Sequence, residues 1–584
     1  MKNRLRRAAA LLLCFVLGCA PLPESASLQL YAYLGRNIPE GTAHTELSFS
    51  ELRCHSVDPA LLSDRILRLA ERIDDPAEDA HALQAELESL YGAAAQLEND
   101  AALVYVRHCL DCTDEALTAQ ANRLNRSLDG IFAALNEAAL RLSARPALRA
   151  SYPAETVAAL EAAVRLYDPA VQPLLERETA LMDAYDAMTV SFSIEADGEV
   201  WDEARLAADT TLPFEAWYAL RKAFDAAFAT AAGELFCELV QVRRAIADAL
   251  GFDSYPAYRY AAYGRDYLPA EAASFCETAA RQLAPLFREA LIATAADRQT
   301  LYLTEQGDTE EQLLAIVRTV IERIDPSLCE PWDYMIGHGM LDCSVSGTKL
   351  PGSYTTYFSA YGAPFLYLTR EDAFEAPTVL LHEFGHYAGY YFRGDATLPL
   401  DLAEAESQGL ELLAIPFYPL LYGNRADEAR AVKLCDLLYA ILSGCLIDAF
   451  EQAVYADPDP TPESLSEMFE RLTVRIGLDD AGYTADTWTR IPHLFRAPSY
   501  YISYAAGAVA ALSLRETAMQ SPAWAIGRYR ALLHSSGTDR RALLRRCGLP
   551  DFLSVDVAAL GSFLRRELSL ENADDSHIAF PAAA

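Results

Sequence analysis

The chain has 584 residues, of which 52% are hydrophobic, and it carries a formal net charge of −35. This length is enough to bury a sizeable core, and we expect two domains. The negative charge excludes nucleic acid and anionic membrane surfaces as favoured partners, because both are polyanions.

The N-terminal residues have the pattern of an export signal. A basic segment precedes a short apolar run, Ala8 to Leu17, which is far below the ~20 residues that span a bilayer. The run leads into Leu17-Gly18-Cys19, which resembles the lipobox of bacterial lipoproteins. We predict a lipoprotein signal peptide over residues 1–18, a tether over 19–40, and an exported protein anchored to the membrane only by a lipid on Cys19. A plain secretory signal is the alternative.

Helical periodicity dominates the next part of the chain. Apolar residues recur at helical spacing in two runs: Ile66, Leu69, Ala70 and Ile73, and Leu124, Leu128, Ile131 and Leu135. An extended segment at Val190–Ile194 interrupts the pattern. We therefore predict a helical N-terminal domain over residues 41–195, a second domain over 196–571 and a flexible tail over 572–584.

Cys109 and Cys112 form a local pair of cysteines. No second pair of this spacing completes a structural zinc site. We interpret the two as structural or as simple thiols, and a redox or metal role is the alternative. The sequence leaves open whether they are bonded.

A strand pattern interrupts the helices of the second domain. Residues 352–358 and 365–368 are rich in β-branched and aromatic side chains, and they flank a Gly/Pro turn at 361–364. We predict a hairpin. An edge strand beside a metal can bind an extended peptide through its backbone, and a purely structural edge is the alternative.

His382-Glu383-Phe384-Gly385-His386 has the spacing of a catalytic zinc site. Residues four apart lie on one face of a helix, so both imidazoles can bind one cation. At this spacing Glu383 is not a ligand but the general base for the attacking water. Pro377 suits a first helical turn. The alternative is a core helix that contains two histidines.

A third ligand is expected farther along the chain, because catalytic zinc sites have three protein ligands and one open position. Glu404 and Glu411 share a helical face, whereas Glu406 points about 200° away from them by the 3.6-residue period. We favour Glu404 as the ligand and Glu411 as a carboxylate that orients a ligand histidine. Glu406 is the rival ligand, and a solvated acidic stripe is the alternative.

An aromatic segment farther downstream offers groups that stabilise an oxyanion. It contains His493, Tyr500, Tyr501 and Tyr504. A phenol or imidazole near the metal can donate a hydrogen bond to the oxygen that becomes charged when water attacks an amide. The same density of aromatic residues is also typical of a core.

Together these segments resemble the thimet oligopeptidase/oligoendopeptidase F family of zinc metallopeptidases, closer to the oligoendopeptidase F branch. The family has His-Glu-Phe/Leu-Gly-His and then Glu-x-x-Ser-x-x-x-Glu on successive helices, and this chain has 382–386 and 404–411. Arg490–His493 before a tyrosine-rich helix and Lys349–Tyr354 are similar to oligoendopeptidase F segments. The resemblance covers roughly residues 200–567.

The resemblance implies a mainly α, gluzincin-type zincin domain. It also implies a small β-sheet beside the active-site helix, a helical N-terminal lobe and a channel between the lobes. One Zn²⁺ would be bound by His382, His386 and Glu404. Substrate binding and transition-state stabilisation would fall to His493 and Tyr504, with Tyr501 or Tyr500 in the other tyrosine role.

Three departures from the family pattern stand out. Gly389 occupies a position where the family commonly has another histidine. The connection between His386 and Glu404 is shorter than usual, which keeps Glu406 open as a ligand. Ile502 interrupts the tyrosine alternation, so the acting tyrosine is not settled.

The expected function is therefore a zinc metalloendopeptidase whose partners are short peptide substrates. A zinc carboxypeptidase of the related helical class is one alternative. A lipid-anchored peptide-binding protein with an inactive site is another.

Overall fold

The computed structural model describes residues 44–570, except 56, 210, 303–308, 371–372 and 395–397. The predicted signal peptide, the tether with Cys19 and the tail over 572–584 lie outside the described residues. The described part is mainly α-helical with two small sheets, which confirms the predicted fold class. None of the described helices has the length and apolar character needed to cross a membrane.

The first four helices form a bundle with a core of its own. They are α1 (Pro59–Arg72), α2 (Ala80–Leu110), α3 (Glu115–Ser143) and α4 (Ala154–Arg165). The N-termini of the first three helices are capped by aspartate side chains that accept hydrogen bonds from backbone N–H groups. These residues are Asp58, Asp79 and Asp114. Most of the apolar residues predicted from periodicity are buried, among them Ile66, Leu69, Ile131 and Leu135. The C-terminal end of α2 leaves the bundle and joins the larger core.

A hairpin follows α5 (Gln172–Ser191). Its strands are β1 (Ser193–Ala196) and β2 (Glu199–Asp202), which pair antiparallel. The extended segment begins at Ser193 rather than at the predicted Val190, because the Phe192 N–H bonds to the Met188 carbonyl and continues the helix. The predicted domain boundary falls in this hairpin and stays a prediction.

The remaining helices and strands make up the second region. In chain order they are α6 (Glu203–Ala208), α7 (Phe214–Leu250), α8 (Tyr255–Ala262), α9 (Pro269–Tyr302), α10 (Glu310–Ile324), α11 (Cys329–Gly337), β3 (Leu341–Asp342), β4 (Tyr354–Phe358), β5 (Ala363–Tyr367), α12 (Ala376–Arg393), α13 (Leu400–Leu413), α14 (Tyr418–Tyr422), α15 (Ala426–Ala456), α16 (Pro462–Ile476), α17 (Pro492–Arg496), α18 (Ile502–Gln520), α19 (Pro522–Leu533), α20 (Arg540–Cys547) and α21 (Val557–Glu567).

The predicted hairpin before the histidine helix is confirmed. β4 and β5 pair antiparallel, with Thr355 opposite Leu366, and β3 adds to the other side of β5 in parallel. The strand order is β3-β5-β4, so β4 is an edge of the described sheet. Both β4 and β5 pack against α12. Cys109 and Cys112, near the sheet at the end of α2, are free thiols.

Glycines let α13 approach its two neighbouring helices closely. A Cβ atom at Gly507 of α18 would lie 2.5 Å from the Cβ of Glu404, closer than real Cβ contacts allow. A Cβ atom at Gly385 of α12 would lie 2.7 Å from the backbone at Glu406 and Ser407. These contacts fix which face of α13 is turned toward the histidines.

Candidate active site

Helix α12 carries both histidines of the predicted metal site on one face. Pro377 lies in its first turn, as predicted, and Gly394 ends it at φ 72°. The opposite face is anchored by Leu380, Leu381 and Phe384, which are fully buried. The ring centroids of His382 and His386 are 5.2 Å apart. The helix therefore presents two imidazoles toward one point.

The structure brings Glu404 of α13 to the two histidines. One donor atom from each of His382, His386 and Glu404 lies within 4.8 Å of the others. Glu404 Oε1 accepts a hydrogen bond from the Tyr500 hydroxyl at 2.9 Å, whereas Oε2 is buried and has no hydrogen-bond partner among the described residues. A buried oxygen without a partner is costly. Two histidines and a glutamate are typical zinc donors, so these residues fit Zn²⁺.

Glu411 lies where the sequence predicts an orienting carboxylate. Its Oε1 accepts a hydrogen bond from His382 Nδ1 at 2.8 Å, and its Oε2 pairs with the ammonium of Lys433. Burial raises the pKa of Glu411, but Lys433 and then His382 outweigh this and hold it below its usual value. The ionised carboxylate keeps the proton on Nδ1, which leaves the Nε2 lone pair of His382 for a metal.

Glu406, the rival ligand, points away from the histidines. It forms a fully buried ion pair with Arg393 at the end of α12. A Cβ atom at Gly389 would lie 2.6 Å from one oxygen of this carboxylate and 2.7 Å from the other. The departure at Gly389 thus leaves room for the Glu406 side chain, so a histidine at that position would displace it.

Glu383 is buried beside the edge strand. The hydroxyl of Thr355 on β4 lies 2.9 Å from Glu383 Oε2. Burial raises the pKa of Glu383 to about 7, and His382 and Thr355 oppose part of the rise. Thr355 was not predicted from the sequence, because the alternation of side chains along a strand gives no distance to a residue on a helix. It also missed Lys433, which lies 22 residues beyond its partner Glu411.

The aromatic segment lies at the same site, and its tyrosines make two kinds of contact. Tyr500 contacts Glu404. Tyr501 and Tyr504 line a cavity, and the Tyr504 hydroxyl lies 3.4 Å from His493 Nε2. Ile502, which interrupts the tyrosine alternation, is fully buried and begins α18.

A cavity of about 220 Å³ joins these groups. His382, Glu383, His493, Tyr501 and Tyr504 lie on its wall. Its other walls carry aromatic residues and further charged groups: Tyr302, Phe374, Tyr418, Tyr422, Tyr439, Glu375, Asp436, Glu411 and Lys433. All the sequence-predicted site residues therefore lie on this cavity or beside it.

Comparison with known proteins decides the fold. No protein-family model matches the chain, and no curated protein matches it in sequence. A solved structure described as an oligoendopeptidase F matches with a TM-score of 0.72 at 24% identity, over 90% of this chain and 99% of that one. The chain has the oligoendopeptidase F fold. PZ peptidase A, solved with an inhibitor, shares this fold at a TM-score of 0.74 and 21% identity, over the same 90% and 99% of the two chains.

A carboxypeptidase from Pyrococcus furiosus is a more distant neighbour of this oligoendopeptidase fold. Its structure matches with a TM-score of 0.52 at 12% identity, over 88% of this chain and 100% of that one. The shared architecture agrees with the predicted mainly helical fold.

Proposed function

We propose that the protein is a zinc-dependent endopeptidase that hydrolyses short oligopeptides. One observation carries this proposal: His382, His386 and Glu404 converge, and Glu383 lines a cavity together with His382. A binding module has no need of a buried carboxylate next to three metal donors. The likeness to oligoendopeptidase F and PZ peptidase structures supports the proposal.

His382, His386 and Glu404 would hold the zinc ion. When bound, Zn²⁺ supplies Lewis acidity that activates water and polarises a substrate carbonyl. Glu411 and Lys433 orient His382, and Tyr500 orients Glu404. These outer contacts keep two of the three donors, His382 and Glu404, turned toward the site before the ion arrives.

Glu383 would move the proton. It takes a proton from the attacking water and later delivers it to the leaving amine. Burial favours the protonated form of Glu383, which helps this carboxylate to take up the proton before it passes the proton on. The Thr355 hydroxyl holds one carboxylate oxygen, so the other is directed to the reacting groups.

Tyr504 would stabilise the developing oxyanion. Its hydroxyl and that of Tyr501 lie on the cavity wall with the His493 imidazole. A hydrogen bond to the substrate oxygen that strengthens as charge develops lowers the barrier more than it strengthens substrate binding. The nearby edge strand β4 offers backbone groups that can pair with an extended peptide.

Charge pairing in the cavity favours an endopeptidase over a carboxypeptidase. A carboxypeptidase needs a cation for the C-terminal carboxylate of its substrate. Among the described residues that line the cavity, Lys433 is the sole lysine or arginine, and it pairs with Glu411. On the same wall Asp436 pairs with Arg298, and Glu375 accepts a hydrogen bond from Tyr302. A peptide interior fits this cavity better than a terminal carboxylate does.

Cleavage of a quenched peptide library, with products identified by mass spectrometry, tests the proposal. We expect zinc-loaded protein to cut internal bonds of short peptides and to leave intact casein nearly untouched. Release of single C-terminal residues would instead indicate the carboxypeptidase. Peptide binding without turnover by the zinc-loaded protein would indicate the binding protein.

The export signal supports a second proposal, which concerns location. The lipobox-like sequence at Cys19 leads us to propose that the enzyme acts outside the cytoplasm on a lipid anchor. Metabolic labelling with a radioactive fatty acid tests this, because a Cys19→Ser variant should lose the label.

A further inference from the structure

The turn before Tyr500 has an unusual backbone. Ser499 has a φ of 64°, in the left-handed region that disfavours residues with a Cβ atom. Two other described non-glycine residues have positive φ, Asp197 and Ser569, and both are exposed. Ser499 is only 1% exposed. A strained conformation in a packed interior persists only where the surroundings hold it.

Glu451 of α15 holds this turn. The Ser499 N–H lies 2.8 Å from one oxygen of the Glu451 carboxyl group and 3.0 Å from the other. Glu451 is 2% exposed. Burial raises its pKa to about 8, and a neutral carboxyl group still accepts through its carbonyl oxygen.

Other contacts hold the flanks of the turn but not the same atom. Arg243 donates to the carbonyls of Leu494 and Phe495, and Arg259 donates to the carbonyl of Pro498. These arginines donate to backbone carbonyl oxygens, whereas Glu451 accepts the hydrogen bond of the Ser499 N–H group. The helix that carries Glu451, α15, also approaches the chain closely two residues after Ser499, since a Cβ atom at Gly444 would lie 2.8 Å from the Tyr501 carbonyl oxygen.

The strained turn leads directly into the site. Tyr500 follows Ser499 and donates its hydroxyl proton to Glu404 Oε1 at 2.9 Å. Tyr501 and Tyr504 follow within five residues and line the cavity. A change of backbone conformation at Ser499 would rotate all three tyrosines relative to the metal donors.

We propose that Glu451 is a positioning residue, which fixes the Ser499 turn and thereby sets the Tyr500–Glu404 contact and the tyrosines of the cavity. Its effect on metal affinity is independent of the reaction. Its effect on turnover rests on the proposed function.

A matched pair of variants tests the role of Glu451. Glu451→Leu removes the hydrogen-bond acceptor and keeps a side chain of similar size. Glu451→Gln keeps an acceptor oxygen. We expect Glu451→Leu to lower zinc affinity, measured by competition with a chelator, and kcat. Each loss should not exceed the ~10–100-fold cost of losing a direct outer contact of a ligand, because Glu451 acts through Tyr500. Glu451→Gln should stay close to wild type in both readouts, whereas in Glu451→Leu KM should change less than kcat.

Glu567→Leu is the control for the loss of a buried carboxylate. Glu567 is 8% exposed and bonds to Arg515 through two nitrogens, away from the cavity. This variant should lose thermal stability and keep zinc affinity and kcat. If Glu451→Leu behaves in the same way, Glu451 has only a structural role and the proposal is wrong.

Rescue at Ser499 gives a second test. Ser499→Gly in the Glu451→Leu background should restore zinc affinity more than Ser499→Ala does, because glycine adopts a positive φ without strain. Equal rescue by both would overturn the proposal. If Glu451→Leu does not fold, Ser499→Val in the otherwise native chain replaces it. Wild-type zinc affinity in Ser499→Val would contradict the role of the turn.

A wild-type protein that binds zinc without cleaving peptides would refute the proposed function. The comparison of zinc affinity between the Glu451 variants would still be valid.

Discussion

The two walls of the cavity are built in different ways. The metal wall consists of α12 and α13, and the spacing of residues along these helices brings its donors together. The aromatic wall, from Arg490 to Tyr504, is held by distant residues, among them Arg243 and Glu451. Helical spacing therefore aligns the donors within each helix of the metal wall, whereas the placement of the tyrosines depends on long-range contacts.

The largest expected effect falls on the metal wall. Glu383→Gln should lower kcat by ~10²–10⁴-fold, because the amide cannot take a proton from water. Zinc content should not change, since Glu383 is not among the clustered donors. Peptide cleavage at a comparable rate by the zinc-loaded variant would show that another group is the base.

We expect substitutions of two tyrosines of the aromatic wall to change different quantities, kcat in one case and zinc affinity in the other. Tyr504→Phe should lower kcat by ~10²–10³-fold, the cost of losing one oxyanion donor, and leave zinc affinity unchanged. Tyr500→Phe should instead weaken zinc binding, because its hydroxyl bonds to Glu404. If both substitutions changed kcat and zinc affinity equally, Tyr500 and Tyr504 would not have separate roles.

A smaller effect is expected where a contact only orients a ligand. Glu411→Gln should reduce zinc affinity by ~10–100-fold, since the amide weakens the hold on His382 Nδ1 and leaves Lys433 without its carboxylate. Chelator competition measures this. Unchanged affinity would show that the helix alone orients His382.

The smallest effect concerns pH and the aromatic wall. Burial raises the pKa of Glu451 from 4.5 to about 8, and the hydrogen bond from the Ser499 N–H opposes part of the rise. Asp448 raises this pKa further, whereas Arg243 and Arg265 lower it. Between these values the folded state binds a proton that the unfolded state releases, so stability falls as pH rises through this window. The Tm of the wild type should therefore drop more from pH 5 to pH 8 than that of Glu451→Gln, by no more than about a few degrees in a chain of this size. Parallel curves would contradict the shifted pKa.

Local rules predict the metal wall well. Helical spacing alone indicates His382 and His386 and groups Glu404 with Glu411. It does not decide between Glu404 and Glu406, because the inward face of α13 is chosen by the close approaches at Gly385 and Gly507. Such approaches are tertiary contacts, and residue spacing does not give them.

The aromatic wall was only partly predictable. The sequence offers three tyrosines near His493, and the structure separates Tyr500 from the other two through a turn at Ser499. Nothing in the local sequence requires a left-handed serine there. The conformation depends on Glu451, which lies 48 residues earlier in the chain. Thr355 was missed for the same reason, since its partner Glu383 lies on another element.

The most direct test of the proposed metal site is the zinc content of the wild type and of two glutamate variants, measured after reconstitution. We predict one zinc ion per chain in the wild type, loss of zinc in Glu404→Gln, and retention in Glu406→Gln, which neutralises only the carboxylate that pairs with Arg393. A folded wild type that binds no stoichiometric metal, or zinc lost from Glu406→Gln and kept by Glu404→Gln, would contradict the account.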